Sequence, residues 1–224
     1  MSWFIEENMN WSDTYDKRYT WTVDIPEGQI GEHSIVHYTL ENEQDWHPYF
    51  VNYANARRES LHLKKYTVLL RNNHWLTVMQ DSFTEFEEHQ WLWGNATGDI
   101  LVTGLGIGYV NEWLIKAPNI TSVTIIEKNQ DVIDLVWDNC TKDDRFTLIH
   151  ADANTWEPPE GTTYDCIWLD HEFTLDEKES CIERYSQYGN VGTYGTIRGL
   201  DNYYEINEEG MLEIRTPNKM LDWM

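Results

Sequence analysis

Apolar positions along this chain change period near residue 95. Before that point they mostly alternate. His33-Ser-Ile-Val-His-Tyr-Thr-Leu40 repeats every two residues, as a half-buried strand does. Trp21-Thr-Val-Asp-Ile25 is a shorter strand candidate, closed by Pro26-Glu-Gly28. Tyr66–Leu70 and Trp75–Met79 flank Asn72-Asn73, residues that tolerate positive φ, and the arrangement predicts a hairpin. Ser82-Phe-Thr-Glu85 is a capping box that predicts one helix with Phe83, Phe86, Gln90 and Trp93 on its inner face, ended by Gly94-Asn-Ala-Thr-Gly98. Trp46 to Leu63 fits no single period; its most helical stretch is Tyr49–Arg58.

From Asp99 onward, short apolar runs alternate with stripes at helical spacing. Asp99-Ile-Leu-Val-Thr103 precedes a helix carrying Val110, Trp113, Leu114 and Ala117. Ser122-Val-Thr-Ile-Ile126 precedes one with Val132, Ile133, Val136 and Trp137. Phe146–His150 and Tyr164–Asp170 are further strands, and a helix is predicted from about Leu175 to Tyr188. Strands of continuous apolar residues are buried on both faces, and repeated strand–helix units imply a parallel sheet with right-handed crossovers. One more strand around Val191–Arg198 and a hairpin, Tyr203–Ile206 with Met211–Arg215, would complete a compact version of a seven-stranded sheet. The expected fold is α/β and Rossmann-like, mostly parallel, with a C-terminal antiparallel hairpin. A β-rich and helical N-terminal region spans 1–94, and the Rossmann-like domain spans 95–224.

Composition narrows the partners. With 39 acidic and 16 basic residues the formal net charge is −23, which repels nucleic-acid backbones and anionic lipid. The acidity reads first as solubility and second as attraction for a cationic substrate. Most of the 12 tryptophans read as core and interface bulk. Cys140, Cys166 and Cys181 lack C-x-x-C spacing, and Cys166 sits in a buried strand, so reduced structural thiols are expected rather than disulfides or a zinc site. The acidic start Met1-Ser-Trp-Phe-Ile-Glu-Glu is unlike a signal peptide, and no apolar run is long enough to cross a bilayer. A cytoplasmic protein is the expectation; a homodimer is compatible with it. His33 and His37 lie in an alternating stretch, which speaks against a shared helical metal face.

The chemistry gathers at strand ends. Gly104-x-Gly106-x-Gly108 follows the first parallel strand, and Glu127 ends the second, placed to accept hydrogen bonds from ribose hydroxyls. His150-Ala-Asp152-Ala153 follows the third strand and Asp170-His171-Glu172 the fourth. Ligands of open α/β sheets bind outside the carboxyl ends of the strands, so these groups should share one crevice. A dinucleotide fingerprint wants its third glycine at position 109, which is Tyr109; the spacing found suits a ligand without pyrophosphate.

On these residues the chain resembles the class I S-adenosylmethionine-dependent methyltransferases. The resemblance implies that Gly104, Leu105, Gly106 and Gly108 lie beside the methionine part of S-adenosylmethionine. It further implies that Glu127, next to Lys128, holds the ribose, and that Asp152, next to Ala153, holds the adenine amino group. Val123–Ile133, Arg145–Asp152, Tyr164–Asp170 and the hairpin and helix of residues 64–93 are similar to spermidine synthases, and to the spermidine-synthase-like methyltransferases of phage and bacterial genomes. The similarity covers roughly residues 64–172. By it, Asp170 is the candidate catalytic base as well as a cofactor neighbour, with His171 the next catalytic candidate, and Asp81 and Glu87 would contact substrate. The chain departs from aminopropyltransferases where Asp170-His171-Glu172-Phe173 replaces their D-x-x-D-P stretch. Methyl transfer to an unidentified small-molecule acceptor is therefore the leading expectation. Aminopropyl transfer, a cofactor-binding module without catalysis and an NAD-type oxidoreductase are the alternatives.

Overall fold

The computed structural model describes residues 22–41, 64–72, 76–171, 175–193, 204–206 and 212–214. Its N-terminal part is an antiparallel sheet of β1 (Gly28–Ile30), β2 (His33–Thr39), β3 (Lys65–Arg71) and β4 (Leu76–Gln80), in that spatial order. The β3–β4 hairpin forms as predicted, and Asn72 takes a positive φ of 58° at its turn. The Trp21–Ile25 strand does not form over the described residues 22–25. Their backbone is satisfied by side chains instead of a ladder: Val23 N–H donates to Asp81 Oδ2 at 2.7 Å, and the Thr67 hydroxyl donates to the Val23 carbonyl at 2.6 Å. Trp46–Leu63 lies outside the described residues.

The single helix expected after Ser82 is two, α1 (Phe83–Glu88) and α2 (Gln90–Asn95). Ser82 Oγ accepts the Glu85 N–H at 3.2 Å, the first half of a capping box. The break falls on His89, at φ −91° and ψ 9°, where the ring is pulled toward groups outside the helix.

A five-stranded parallel sheet follows. Its members are β5 (Gly98–Thr103), β6 (Ile120–Glu127), β7 (Phe146–His150), β8 (Tyr164–Leu169) and β9 (Gly189–Thr193), ordered β7-β6-β5-β8-β9. Three helices lie between them in the chain: α3 (Tyr109–Leu114), α4 (Gln130–Val136) and α5 (Leu175–Ser186). Alternate residues of the central strands enter different cores. Ile100, Val102, Cys166 and Trp168 join α3 and α4, while Leu101, Ile167 and Leu169 join α5 through Cys181 and Tyr185. The first core also takes Val23, Ile25, Ile35 and Leu69 from the N-terminal part and Phe86, Leu92 and Trp93 from α1 and α2. On α4 the buried positions are Val132, Leu135 and Val136, with Ile133 only half-buried.

The last parallel strand begins earlier than expected, at Gly189, and is described as far as Thr193. β10 (Tyr204–Ile206) and β11 (Leu212–Ile214) form the expected hairpin, but as a separate two-stranded sheet. Each pairs with the other and not with β9, so the described residues hold a five-stranded sheet rather than seven strands. All three cysteines are buried and free. Among the described residues no helix is long and apolar enough to cross a membrane.

Candidate functional site

A cavity of about 550 Å³ opens at the carboxyl ends of β5, β6 and β8. It is lined by the glycine turn, by Glu127, Asp152 and Asp170, and by Thr77, Val78 and Met79 of β4. The volume is that of an ordinary small-molecule site.

Gly104 and Gly106 take φ values of 96° and 53°, a region costly for residues with a side chain. A Cβ at Gly104 would come within 2.4 Å of the Asp170 carbonyl oxygen, and one at Gly106 within 2.2 Å of Met79 Sδ. The sequence reading set these glycines beside a ligand. Protein atoms fill the space, so the glycines first of all let the turn pack against β4 and the end of β8. Met79 Sδ also accepts the Ile107 N–H at 3.3 Å.

Glu127 is 7% exposed and braces the same turn. Its Oε2 accepts the Leu105 N–H at 2.9 Å, and its Oε1 accepts the Asn129 backbone and side-chain N–H groups at 2.8 and 3.0 Å. A carboxylate offers about four acceptor sites. One therefore remains, on Oε2, so the carboxylate has room for a single further hydroxyl rather than the pair expected from the sequence. Lys128 sits exposed on the rim, and its carbonyl accepts from His150 Nε2 at 3.0 Å. Asp152 keeps Oδ2 toward solvent while Oδ1 accepts the Asn154 N–H at 2.9 Å. The buried Ala153 is anchored through its carbonyl, which accepts from Arg184 and from the Tyr185 hydroxyl, the latter at 2.8 Å.

Asp170 leaves β8 with its backbone N–H on the Thr103 carbonyl and hydroxyl, both at 3.0 Å. Its Oδ2 lies 2.9 Å from His89 Nε2, a residue the sequence did not single out. His171 is neutral: burial pushes its pKa down to about 4, against the weaker upward pull of Asp170 and Asp152. Both of its ring nitrogens are engaged. Nδ1 accepts the Thr103 hydroxyl at 2.7 Å and Nε2 donates to Asn154 Oδ1 at 3.1 Å, so the ring ties the end of β5 and the turn after β7 to the end of β8. That leaves no nitrogen lone pair to take a proton from a ligand.

The two acids read as substrate contacts part company. Asp81 is 1% exposed and is not part of the cavity lining. It accepts from Thr22, Val23 and Thr67 and pairs with Lys64 at 3.3 Å. Glu87 lies on α1, and its side chain is outside the described residues. Among the described residues no His, Cys, Asp and Glu cluster could hold a metal.

No family model matches the chain, and no curated protein does. Solved structures do. The chain is similar to the N-methyltransferase NodS from Bradyrhizobium japonicum WM9, with a TM-score of 0.41 and 15% identity, covering 55% of this chain and 84% of that one. It is also similar to the plantazolicin methyltransferase BpumL, solved with a desmethylPZN analog and SAH, with a TM-score of 0.37 and 20% identity over 50% of this chain and 43% of that one. For the glycopeptide N-methyltransferase MtfA the TM-score is 0.38 and the identity 16%, over 48% of each chain.

Proposed function

We propose that this chain is a class I S-adenosylmethionine-dependent methyltransferase of the spermidine-synthase-like branch, acting in the cytoplasm on a small-molecule acceptor. The observation that carries the reading is the meeting of Glu127, Asp152 and Asp170 around one cavity lined by the glycine turn at the ends of parallel strands. The residues fit the group. Glu127 has one acceptor site left for a ribose hydroxyl, Asp152 has Oδ2 for the adenine amino group, and Ala153 and Leu105 supply apolar lining beside them. Lys128 at the rim would flank the nucleoside, and the turn at Gly104, Gly106 and Gly108 would lie beside the amino-acid part. When bound, S-adenosylmethionine supplies a methyl group already activated on a sulfonium, so the protein's task is alignment. Asp170 faces the acceptor, and His171 holds the strand ends that position it.

Aminopropyl transfer stands behind this reading because Asp81, one of the two acids expected to grip a polyamine, is spent on the N-terminal sheet. Tryptophan fluorescence titrated with S-adenosylmethionine, S-adenosylhomocysteine and NADH tests the proposal. Saturable binding of the first two but not the third is expected. A chain that binds neither adenosyl compound overturns it.

A further inference from the structure

His89 is fully buried, and both of its ring nitrogens touch oxygen. Nδ1 lies 2.6 Å from the Glu85 main-chain carbonyl, and Nε2 lies 2.9 Å from Asp170 Oδ2. A carbonyl oxygen can only accept, so Nδ1 carries a proton. If that were the ring's sole proton, Nε2 would aim a lone pair at a carboxylate oxygen. Contact at hydrogen-bond distance requires a second proton between them. We propose that His89 and Asp170 form a buried imidazolium–carboxylate pair, in which His89 is a positioning residue that holds Asp170 as a hydrogen-bond acceptor for the substrate rather than as a proton-abstracting base. The role given to Asp170 rests on the methyltransferase reading; the pair itself does not.

The surroundings are aromatic. Trp93 stacks on the imidazole with 5.5 Å between centroids, putting a π-face against it, and the Trp168 and Tyr109 rings stand tilted at 5.2 and 5.9 Å. Burial by itself would strip the ring of its charge, but the Asp170 carboxylate and its hydrogen bond, helped by Glu85, outweigh it and raise the pKa. Four other groups bear on the pair. Glu85 of α1 lies beside the ring; Lys178 of α5 and His171 both feel the Asp170 carboxylate; the Tyr109 ring of α3 stands tilted at 44° to the imidazole.

The pair changes what Asp170 can do. Oδ2 is occupied, the backbone is pinned to Thr103, and Oδ1 has no partner among the described residues. A proton added to Oδ1 would leave a net positive pair in a largely buried place, beside a cationic methyl donor. Orienting a neutral nucleophile carries no such penalty. An uncharged amine nitrogen can donate its N–H to Oδ1 and attack with its own lone pair. With a methyl donor bound, the N–C bond would form as the C–S bond breaks, its electron pair staying with sulfur, and the product ammonium would lose its extra proton to water.

Nitrogen-15 spectra of the full chain, labelled in histidine, test the pair without any ligand, with His89→Gln identifying the resonances. Both His89 nitrogens should be protonated at pH 8, and Asp170→Asn should return the ring to one proton while the chain keeps its melting transition. A singly protonated His89 in the wild type at pH 8, or an Asp170→Asn ring that still holds two protons, overturns the pair whatever the fluorescence titration finds. A doubly protonated ring in a chain that binds no S-adenosylmethionine upholds the pair and overturns the role given to Asp170 along with the methyltransferase reading.

Discussion

Single residues at this site act in two directions at once. Glu127 turns one acceptor site to the cavity and steadies the glycine turn with the others. Charge-assisted hydrogen bonds are worth about 1.5–3 kcal/mol. Glu127→Ala should therefore weaken S-adenosylhomocysteine roughly tenfold or more, measured by calorimetry; unchanged affinity would remove Glu127 from the site. His171 in the cavity lining and the buried His89 respond to pH with opposite signs. His171 has its pKa lowered from 6.5 to about 4, so the unfolded chain binds the extra proton and stability falls as pH drops from 6.5 toward 4. At 1.36 kcal/mol per unit the loss is at most about 3 kcal/mol. His89 has its pKa raised above 6.5, so its contribution is complete below that pH and is lost as pH climbs through the folded value. Urea unfolding across pH should show His171→Asn flattening the acid limb and His89→Gln the alkaline limb. If the two variants kept wild-type slopes, neither ring would carry the linkage.

At the scale of elements, what could be read in advance was whatever a local pattern enforces. β5, β6 and β8 announce themselves as apolar runs because a parallel strand is buried on both faces. That Gly104, Glu127, Asp152 and Asp170 share one cavity was legible because strand ends are where such folds place ligands. The failures share a cause. Thr22–Ile25 alternates like a strand, yet the Asp81 side chain captures its backbone. Asp81 itself was misassigned because its partners come from segments far away in the chain. His89 looked like any polar residue in a helix, since its meaning depends on Asp170. The packing of β4 on the glycine turn was equally hidden, and it can be tested. Gly106→Ala drives a Cβ into Met79 Sδ and places a side chain at positive φ, costing about 2–3 kcal/mol by thermal denaturation. In a Met79→Ala background the same change should cost about 1 kcal/mol less, as residues in contact couple. Equal costs in both backgrounds would mean that the two side chains do not meet.

For the whole molecule, the joint core matters most. Val23, Ile25, Ile35 and Leu69 lie in one cluster with Ile100, Val102, Val132 and Val136, so the N-terminal part and the parallel-sheet part share one apolar core. We expect far-ultraviolet circular dichroism and tryptophan fluorescence to report a single unfolding transition, and residues 95–224 expressed alone to be unfolded or molten. Two separated transitions would instead uphold a boundary near residue 95 as a true domain division.

A Cβ at Gly104 would fall inside the Asp170 carbonyl, so the glycine turn and the end of β8 are packed with no slack between them. On the methyltransferase reading, widening the cavity for a bulkier acceptor would have to be done at Thr77 and Val78, because Gly104 and the end of β8 cannot be spread apart without moving both.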